Sequence, residues 1–256
     1  MSSHIKISGL SKCFEYKQTP VIAFENIDLD IKYGEFVAIV GPSGCGKTSL
    51  LRIIAGLDQQ SSGTVELEKS HQETASQVGM IFQEHGLFPW MNLLSNIKFI
   101  LENNPQIEKQ GVKIISKSFL KKVGLEKFAH YYPHQVSGGM RQRISVARSF
   151  ANNPDILLMD EPFVYLDYQS RLLLHELLIK LWAETKKTIL FVTHDIEEAV
   201  LLANRVIVLS AGPASIREQF NINLDSSLGL MEKRKSSEFR EAVNSIIDLI
   251  RFDLKL

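Results

Sequence analysis

Gly41-Pro-Ser-Gly-Cys-Gly-Lys-Thr48 has the G-x-x-x-x-G-K-T spacing of a phosphate-binding loop. A triphosphate packs several negative charges into a small volume. The glycines let the backbone wrap around it with N–H groups pointing inward. Lys47 reaches the outer phosphates, and the Thr48 hydroxyl can ligate Mg²⁺. The flanks agree with this chemistry. Phe36-Val40 reads as a buried strand, and Ser49-Leu-Leu-Arg-Ile-Ile-Ala55 reads as a helix. That helix starts near Gly46 and turns its positive end toward the loop. Gly41, Pro42, Ser43, Gly44, Cys45, Gly46, Lys47, Thr48 and Ser49 are therefore assigned to nucleotide binding.

Ile156-Leu-Leu-Met-Asp160-Glu161 is an apolar strand that ends in two acids. The strand delivers Asp160 to the edge of a sheet, where it can hold Mg²⁺. Glu161, one residue on, points elsewhere and can polarise an attacking water as a general base. Val136-Ser-Gly-Gly-Met-Arg-Gln-Arg143 offers a second helix start, with Ser137 as N-cap and Ile144, Val146, Ala147 and Phe150 continuing the helix. This is another helix end suited to an anion. One nucleotide has no obvious use for two such ends within one chain.

The elements that must position these residues follow from patterning. The 256 residues suit one large domain or a core with a subdomain. Twenty-nine basic side chains balance 29 acidic ones, so no basic surplus advertises nucleic-acid binding. No apolar run approaches the roughly 18–20 residues of a membrane span, and Met1-Ser-Ser-His-Ile-Lys6 has no apolar signal core. Cys13 and Cys45 make no disulfide framework, which leaves the reduced cytosol as the default. Phe24 to Ile31 alternates as a half-buried strand, Lys32-Glu35 turns, and Gly56 ends the helix after the loop. Gly63-Leu67 reads as an exposed antiparallel strand, and Val78-Phe82 as a strand ending at Gln83. Residues 84–150 read as a helical subdomain, with Phe119, Leu120, Val123, Leu125 and Phe128 at spacings of one helical face. Strands return at Ile156-Met159, Thr188-Thr193 and Arg205-Ser210, with an amphipathic helix at Arg171-Trp182. The alternation means a parallel α/β sheet. Residues 212–237 look loop-like, and Phe239, Val243, Ile246, Ile247, Ile250 and Leu254 mark a C-terminal amphipathic helix.

Ser137-Gly-Gly-Met140 resembles the signature of the ABC-transporter ATPases. The loop at 41–48, Gln83, Asp160-Glu161, Asp167 and Thr193-His194-Asp195 fall in that family's order, so the resemblance covers roughly residues 5–212. It implies a P-loop NTPase fold of the α/β class, with a RecA-like parallel core, an antiparallel β subdomain and the α-helical subdomain at about 84–150. It implies an ABC ATPase domain over 1–230, with 231–256 as a helix packing on that domain. It implies ATP and Mg²⁺, held by Thr48, Gln83 and Asp160. It further implies a head-to-tail dimer, either a homodimer or a pair with a paralogue. In that dimer, Ser137, Gly138, Gly139 and Asp167 of one chain face the nucleotide held by the other. Gln83 is similar to the Q-loop glutamine and His194 to the switch histidine beside the γ-phosphate. Phe14 matches the aromatic that stacks on adenine; Phe14 in the core is the other reading, and Tyr16 is a rival stacker. Asp195 with Glu198 also suits a helix cap.

Two positions depart from the common pattern. Met140 stands where glutamine is usual, and bulky Tyr165 stands in Pro162-Phe-Val-Tyr-Leu-Asp167 where small residues are usual. Phe88-Pro-Trp90 together with Ser137-Gly-Gly-Met140 is similar to importers of the nitrate, sulfonate, taurine and bicarbonate type. Thiamine-precursor and betaine importers share parts of this pattern. The resemblance implies two permease subunits, met at a groove around residues 84–90, a solute-binding protein, no nucleic acid, and a place on the cytoplasmic side of the inner membrane. DNA-repair ATPases of this superfamily would need a coiled coil between the loop and the signature. Translation ATPases would carry two cassettes. Neither is present.

Overall fold

Burial separates strands enclosed at every position, as at 36–40, 156–160 and 188–192, from strands that leave residues exposed to solvent. The computed structural model describes residues 3–17, 19–68, 78–84 and 86–254. In chain order the elements are β1 (Ser3–Tyr16), β2 (Thr19–Lys32), β3 (Phe36–Val40), α1 (Lys47–Ile54), β4 (Ser62–Leu67), β5 (Val78–Ile81), α2 (Leu93–Glu102), α3 (Lys109–Lys122), α4 (Gly138–Ala151), β6 (Ile156–Asp160), α5 (Tyr168–Thr185), β7 (Thr188–Val192), α6 (Ile196–Leu202), β8 (Arg205–Leu209), β9 (Ile216–Asn221), α7 (Leu230–Lys233) and α8 (Ser237–Leu254). They fall into two compact units, residues 1–68 with 187–256, and residues 69–186.

In the first unit, β2-β1-β4 form an antiparallel sheet. β2 buries Phe24, Ile27, Leu29 and Ile31, the last three by strict alternation, as its sequence requires. β3 and β7 are buried at every position and pair in parallel, Phe36 with Ile189 through Ile39 with Val192. β8 lies parallel on the other side of β3, Val37 with Arg205 through Val40 with Val208. Continuous apolar strands of this kind belong to sheets covered on both faces. Each fully buried Ile, Leu, Val or Phe side chain contributes roughly 1.5–3 kcal/mol. The loop-like reading of 212–237 is corrected here, because that stretch holds β9, antiparallel to β8, and the short helix α7. β9 is an edge strand whose Ile216 and Phe220 are half-buried around three exposed polar residues, so period-2 alternation is absent. α8 turns Phe239, Val243 and Ile246 inward and packs against α6.

In the second unit, β5 and β6 pair in parallel, Val78 with Ile156 through Ile81 with Met159. Helices α2, α3 and α4 close a core around Leu93, Ile97, Leu101, Leu120, Ile144 and Ala147. The single helical face expected over 119–128 is interrupted. α3 stops at Lys122, and Gly124 takes a φ of 70°. There the N–H of Leu125 closes on the Leu120 carbonyl at 2.9 Å and that of Gly124 on Lys121 at 3.0 Å, a glycine-terminated helix end. The apolar residues on both sides of the break still enter one core. Among the described residues, no helix is long and apolar enough to cross a membrane.

Candidate functional site

The first unit carries the glycine-rich loop at 41–46 between β3 and α1. Gly46 is the N-cap of α1, with a φ of 91° and no side chain over the first turn. A Cβ there would meet Phe24 Cδ1 at 2.9 Å, so both conformation and space demand glycine. Lys47 is buried at the loop's centre, and its Nζ donates to the Gly41 carbonyl at 2.8 Å and the Pro42 carbonyl at 2.9 Å. Cys45 lines the same pocket of backbone, 1% exposed, with Sγ 3.8 Å from the Lys47 ammonium. Burial pushes its thiol above the ordinary value, against the opposing pull of Lys47. Ser43, Gly44 and Thr48 are exposed, while Pro42 and Ser49 are half-buried.

His194 follows β7, and the register of Ile39 with Val192 sets Thr193-His194 level with Val40-Gly41. Both therefore sit at the carboxyl ends of adjacent parallel strands, where open α/β sheets bind ligands. His194 is exposed, while the residues around it are tied down. Asp195 Oδ1 accepts from the Glu198 N–H at 3.1 Å, and the Thr193 hydroxyl donates to Glu198 Oε2 at 2.9 Å while accepting from the Asp195 N–H at 3.0 Å. Asp195 is thus the cap. The Glu198 carboxylate serves Thr193, a use that spacing alone did not indicate. Phe14 is 40% exposed on β1, which rules out the core reading. The Lys12 ammonium lies 4.7 Å from its ring centroid and is held there by Asp58 at 2.9 Å. The side chain of Tyr16 lies outside the described residues.

In the second unit, Gln83 and Glu161 stand at equal offsets beyond the paired Ile81 and Met159, so both emerge at one edge of the β5-β6 pair. Asp160 is 5% exposed at the end of β6. Glu161 has a φ of 44°, a left-handed backbone that costs a non-glycine residue about 1 kcal/mol or more. Strain of this kind clusters where a side chain must be aimed. Beyond it, Phe163 is 2% exposed and meets the His175 ring edge-on at 4.5 Å, anchoring the loop. Asp167 caps α5, accepting from the Ser170 N–H at 3.0 Å, and Ser170 holds its carboxyl below the usual aspartate value. Tyr165 is 67% exposed, and its hydroxyl accepts from Gln83 Nε2 at 3.4 Å.

The signature lies alongside. Ser137 accepts from the Met140 N–H at 3.3 Å. A Cβ on Gly139 would lie 2.6 Å from Ser170 Oγ, so only glycine lets α4 begin against the first turn of α5. Gly138 is roomier, its nearest neighbours 3.8 Å or more away. Met140 packs on the helical core, which accounts for a thioether at this position. Two residues that carry this geometry escaped sequence reading. Arg141 Nη1 donates to the Val136 carbonyl at 3.0 Å and pins the turn before the signature. The fully buried Asn96 accepts from the Phe88 N–H at 2.8 Å and donates to the carbonyls of Phe88, Met91 and Asn92. A lone amide inside Leu93-Leu94-Ser95-Asn96-Ile97 was the available signal. Trp90 is 70% exposed and so is not subdomain core. Phe88 lies between Trp90, tilted at 5.6 Å, and Phe99, edge-on at 4.9 Å, beside a groove of about 320 Å³ lined by Met80, Phe82, Ile100 and Arg148. His85 lies outside the described residues.

The sequence matches the family model described as ABC transporter over residues 24–164. It is 41% identical to a nitrate import ATP-binding protein of Synechocystis sp., across 97% of this chain and 95% of that one. It is 38% identical to an aliphatic sulfonates import ATP-binding protein of Bacillus cereus, across 95% and 94%. Among solved structures, a dimeric ATP-binding cassette bound to ADP and Pi in a post-hydrolysis state aligns with a TM-score of 0.75 and 33% identity, covering 86% of this chain and 99% of that chain.

Proposed function

The chain belongs to the ABC transporter ATP-binding family, and on that premise we propose that it is the ATP-hydrolysing subunit of an importer for a small anionic solute. It has the P-loop ABC ATPase fold, and it binds and hydrolyses ATP. The observation that carries the importer reading is the 41% identity with a nitrate import protein over nearly the full length of both chains.

The chain's residues divide the work as follows. Backbone N–H groups of 43–46 and the start of α1 surround the phosphates, and Lys47 transfers its two carbonyl hydrogen bonds to phosphate oxygens. Phe14 offers its ring to the base. Glu161 accepts the proton of the attacking water as the bond between the γ-phosphorus and the ADP oxygen breaks, giving ADP and phosphate. His194 donates to the γ-phosphate. Thr48, Gln83 and Asp160 supply a hydroxyl, an amide carbonyl and a carboxylate. These are hard oxygen donors of the type Mg²⁺ takes, and Asp160 is buried as a fixed ligand should be. When bound, Mg²⁺ neutralises charge on the β- and γ-phosphates.

A second ATPase chain presents its Ser137, Gly138, Gly139 and Asp167 to this chain's nucleotide, as the dimeric relative suggests. Two permease subunits seat against Phe88 and Trp90 on the cytoplasmic face of the membrane, and a solute-binding protein delivers the anion. A hydrolysis assay tests this reading. Lys47→Ala weakens ATP binding, whereas Glu161→Gln keeps binding and lowers the rate by about 10²–10⁴. Unchanged hydrolysis in the Glu161→Gln protein overturns the assignment. Uptake of labelled nitrate, sulfonate or taurine by the assembled transporter tests the solute class. Uptake of thiamine precursor or betaine instead contradicts it.

A further inference from the structure

We propose that Tyr165 is a positioning residue for hydrolysis, its hydroxyl holding the Gln83 amide in the rotamer that presents Oε1. This rests on the reading of Gln83 as a contact of Mg²⁺ or the attacking water. The two ends of a glutamine amide are chemical opposites, because the NH₂ only donates and the oxygen only accepts or ligates. A cation at Gln83 requires the oxygen, and a half-turn about the last torsion would offer it N–H groups instead. That torsion has two broad wells and little intrinsic preference. Gln83 Nε2 donates to Tyr165 Oη at 3.4 Å, and the phenol oxygen can go on accepting there while Oε1 ligates a cation, whereas a phenol bond to Oε1 would compete with that cation.

Tyr165 is suited to hold that position. Its loop is fixed on one side by Phe163, buried on His175, and on the other by Asp167, which caps α5. Arg171 Nη2 adds a bond to the neighbouring Leu166 carbonyl at 3.4 Å. The Tyr165 carbonyl lies 3.9 Å from where a Cβ on Gly138 would stand, so one residue borders both Gln83 and the signature glycines. Core packing does not account for the ring, which is 67% exposed. What the side chain offers its own chain is the hydroxyl. The bond is long, so its effect is a bias in rotamer population rather than a lock.

The test compares Tyr165→Phe, Tyr165→Ala and Gln83→Ala, alone and combined. In nucleotide-free protein, the side-chain amide protons of Gln83, observed by NMR, move in Tyr165→Phe toward the position of an unbonded amide. In hydrolysis, Tyr165→Phe raises the half-saturating Mg²⁺ concentration about three- to tenfold while leaving nucleotide affinity without Mg²⁺ unchanged. In a Gln83→Ala background the same substitution does nothing further, because the two residues act as one unit. Three results overturn the proposal: an unmoved Gln83 amide, an effect that persists without Gln83, or a defect confined to Tyr165→Ala, which would make the ring a packing contact. A wild-type chain that never hydrolyses ATP strikes the ATPase reading instead, and the amide resonances still decide the tether.

Discussion

Helix α1 begins at Gly46, with a φ of 91° and no side chain over its first turn, whereas α4 begins at Ser137, whose hydroxyl already accepts from the Met140 N–H at 3.3 Å. Both ends carry the positive pole of a helix. At α1 a buried ammonium is added to the pole, and the backbone is bent so that only glycine fits. At α4 the cap spends one donor on its own chain, and Arg141 turns back to the carbonyls of Pro133 and Val136. The first end has the chemistry of an anion site within one chain. The second is tightly fitted to α5 through Gly139, and the proposed function gives it the nucleotide of another copy. Damage to α1 should therefore abolish binding by a single chain, and damage to α4 should spare it.

Gly46→Ala tests the comparison most severely. Its left-handed backbone and the 2.9 Å approach to Phe24 should cost about 1–3 kcal/mol and remove most ATP binding, read by thermal unfolding and nucleotide titration. A Gly46→Ala protein that binds ATP normally breaks the distinction. Gly139→Ala drives a methyl into Ser170 and should cost about 1–3 kcal/mol in unfolding while single-chain ATP affinity stays unchanged. Adding Ser170→Gly should recover part of that loss, since the two share the contact. Ser137→Ala removes the α4 cap, for about 1 kcal/mol by denaturant titration, again with single-chain binding intact.

The smallest effect is that of Asp167→Asn. The Asp167 carboxyl titrates below its usual value of 3.8 because Ser170 bonds the ionised form. Its contribution is therefore present above pH 3.8 and is lost as pH falls through the lower folded value. Asparagine caps as well as aspartate but does not titrate. Acid unfolding should separate the two proteins below pH 3.8, with wild type the one that weakens, and should not separate them near neutrality.

The legible parts of the molecule were those in which local chemistry and burial agree. The loop at 41–48 announces its strand, its turn and its helix in one stretch. Gly56 ends α1 as read, with Leu57 N–H on the Arg52 carbonyl at 2.8 Å and Gly56 N–H on Ile53 at 3.0 Å. Illegible parts depend on tertiary neighbours. β9 is a strand because β8 offers it an edge, and its own residues carry little alternation. Leu125 continues an apparent helical period, yet Gly124 ends the helix before it. Asp195 was readable as a cap, but the Thr193 hydroxyl that takes the Glu198 carboxylate depends on how the turn after β7 closes. The contact of Gln83 with Tyr165 joins residues 82 apart, and no spacing rule reaches that far.

The central claim is that one chain holds the nucleotide and a second completes the site. The solution mass of the Glu161→Gln protein, with and without Mg-ATP, tests it most directly. The expected result is a shift from one chain mass to two on adding Mg-ATP. A Glu161→Gln protein that binds ATP and stays at one chain mass contradicts the shared site for this chain acting alone, and one that binds no ATP contradicts the phosphate-loop assignment from which the account begins.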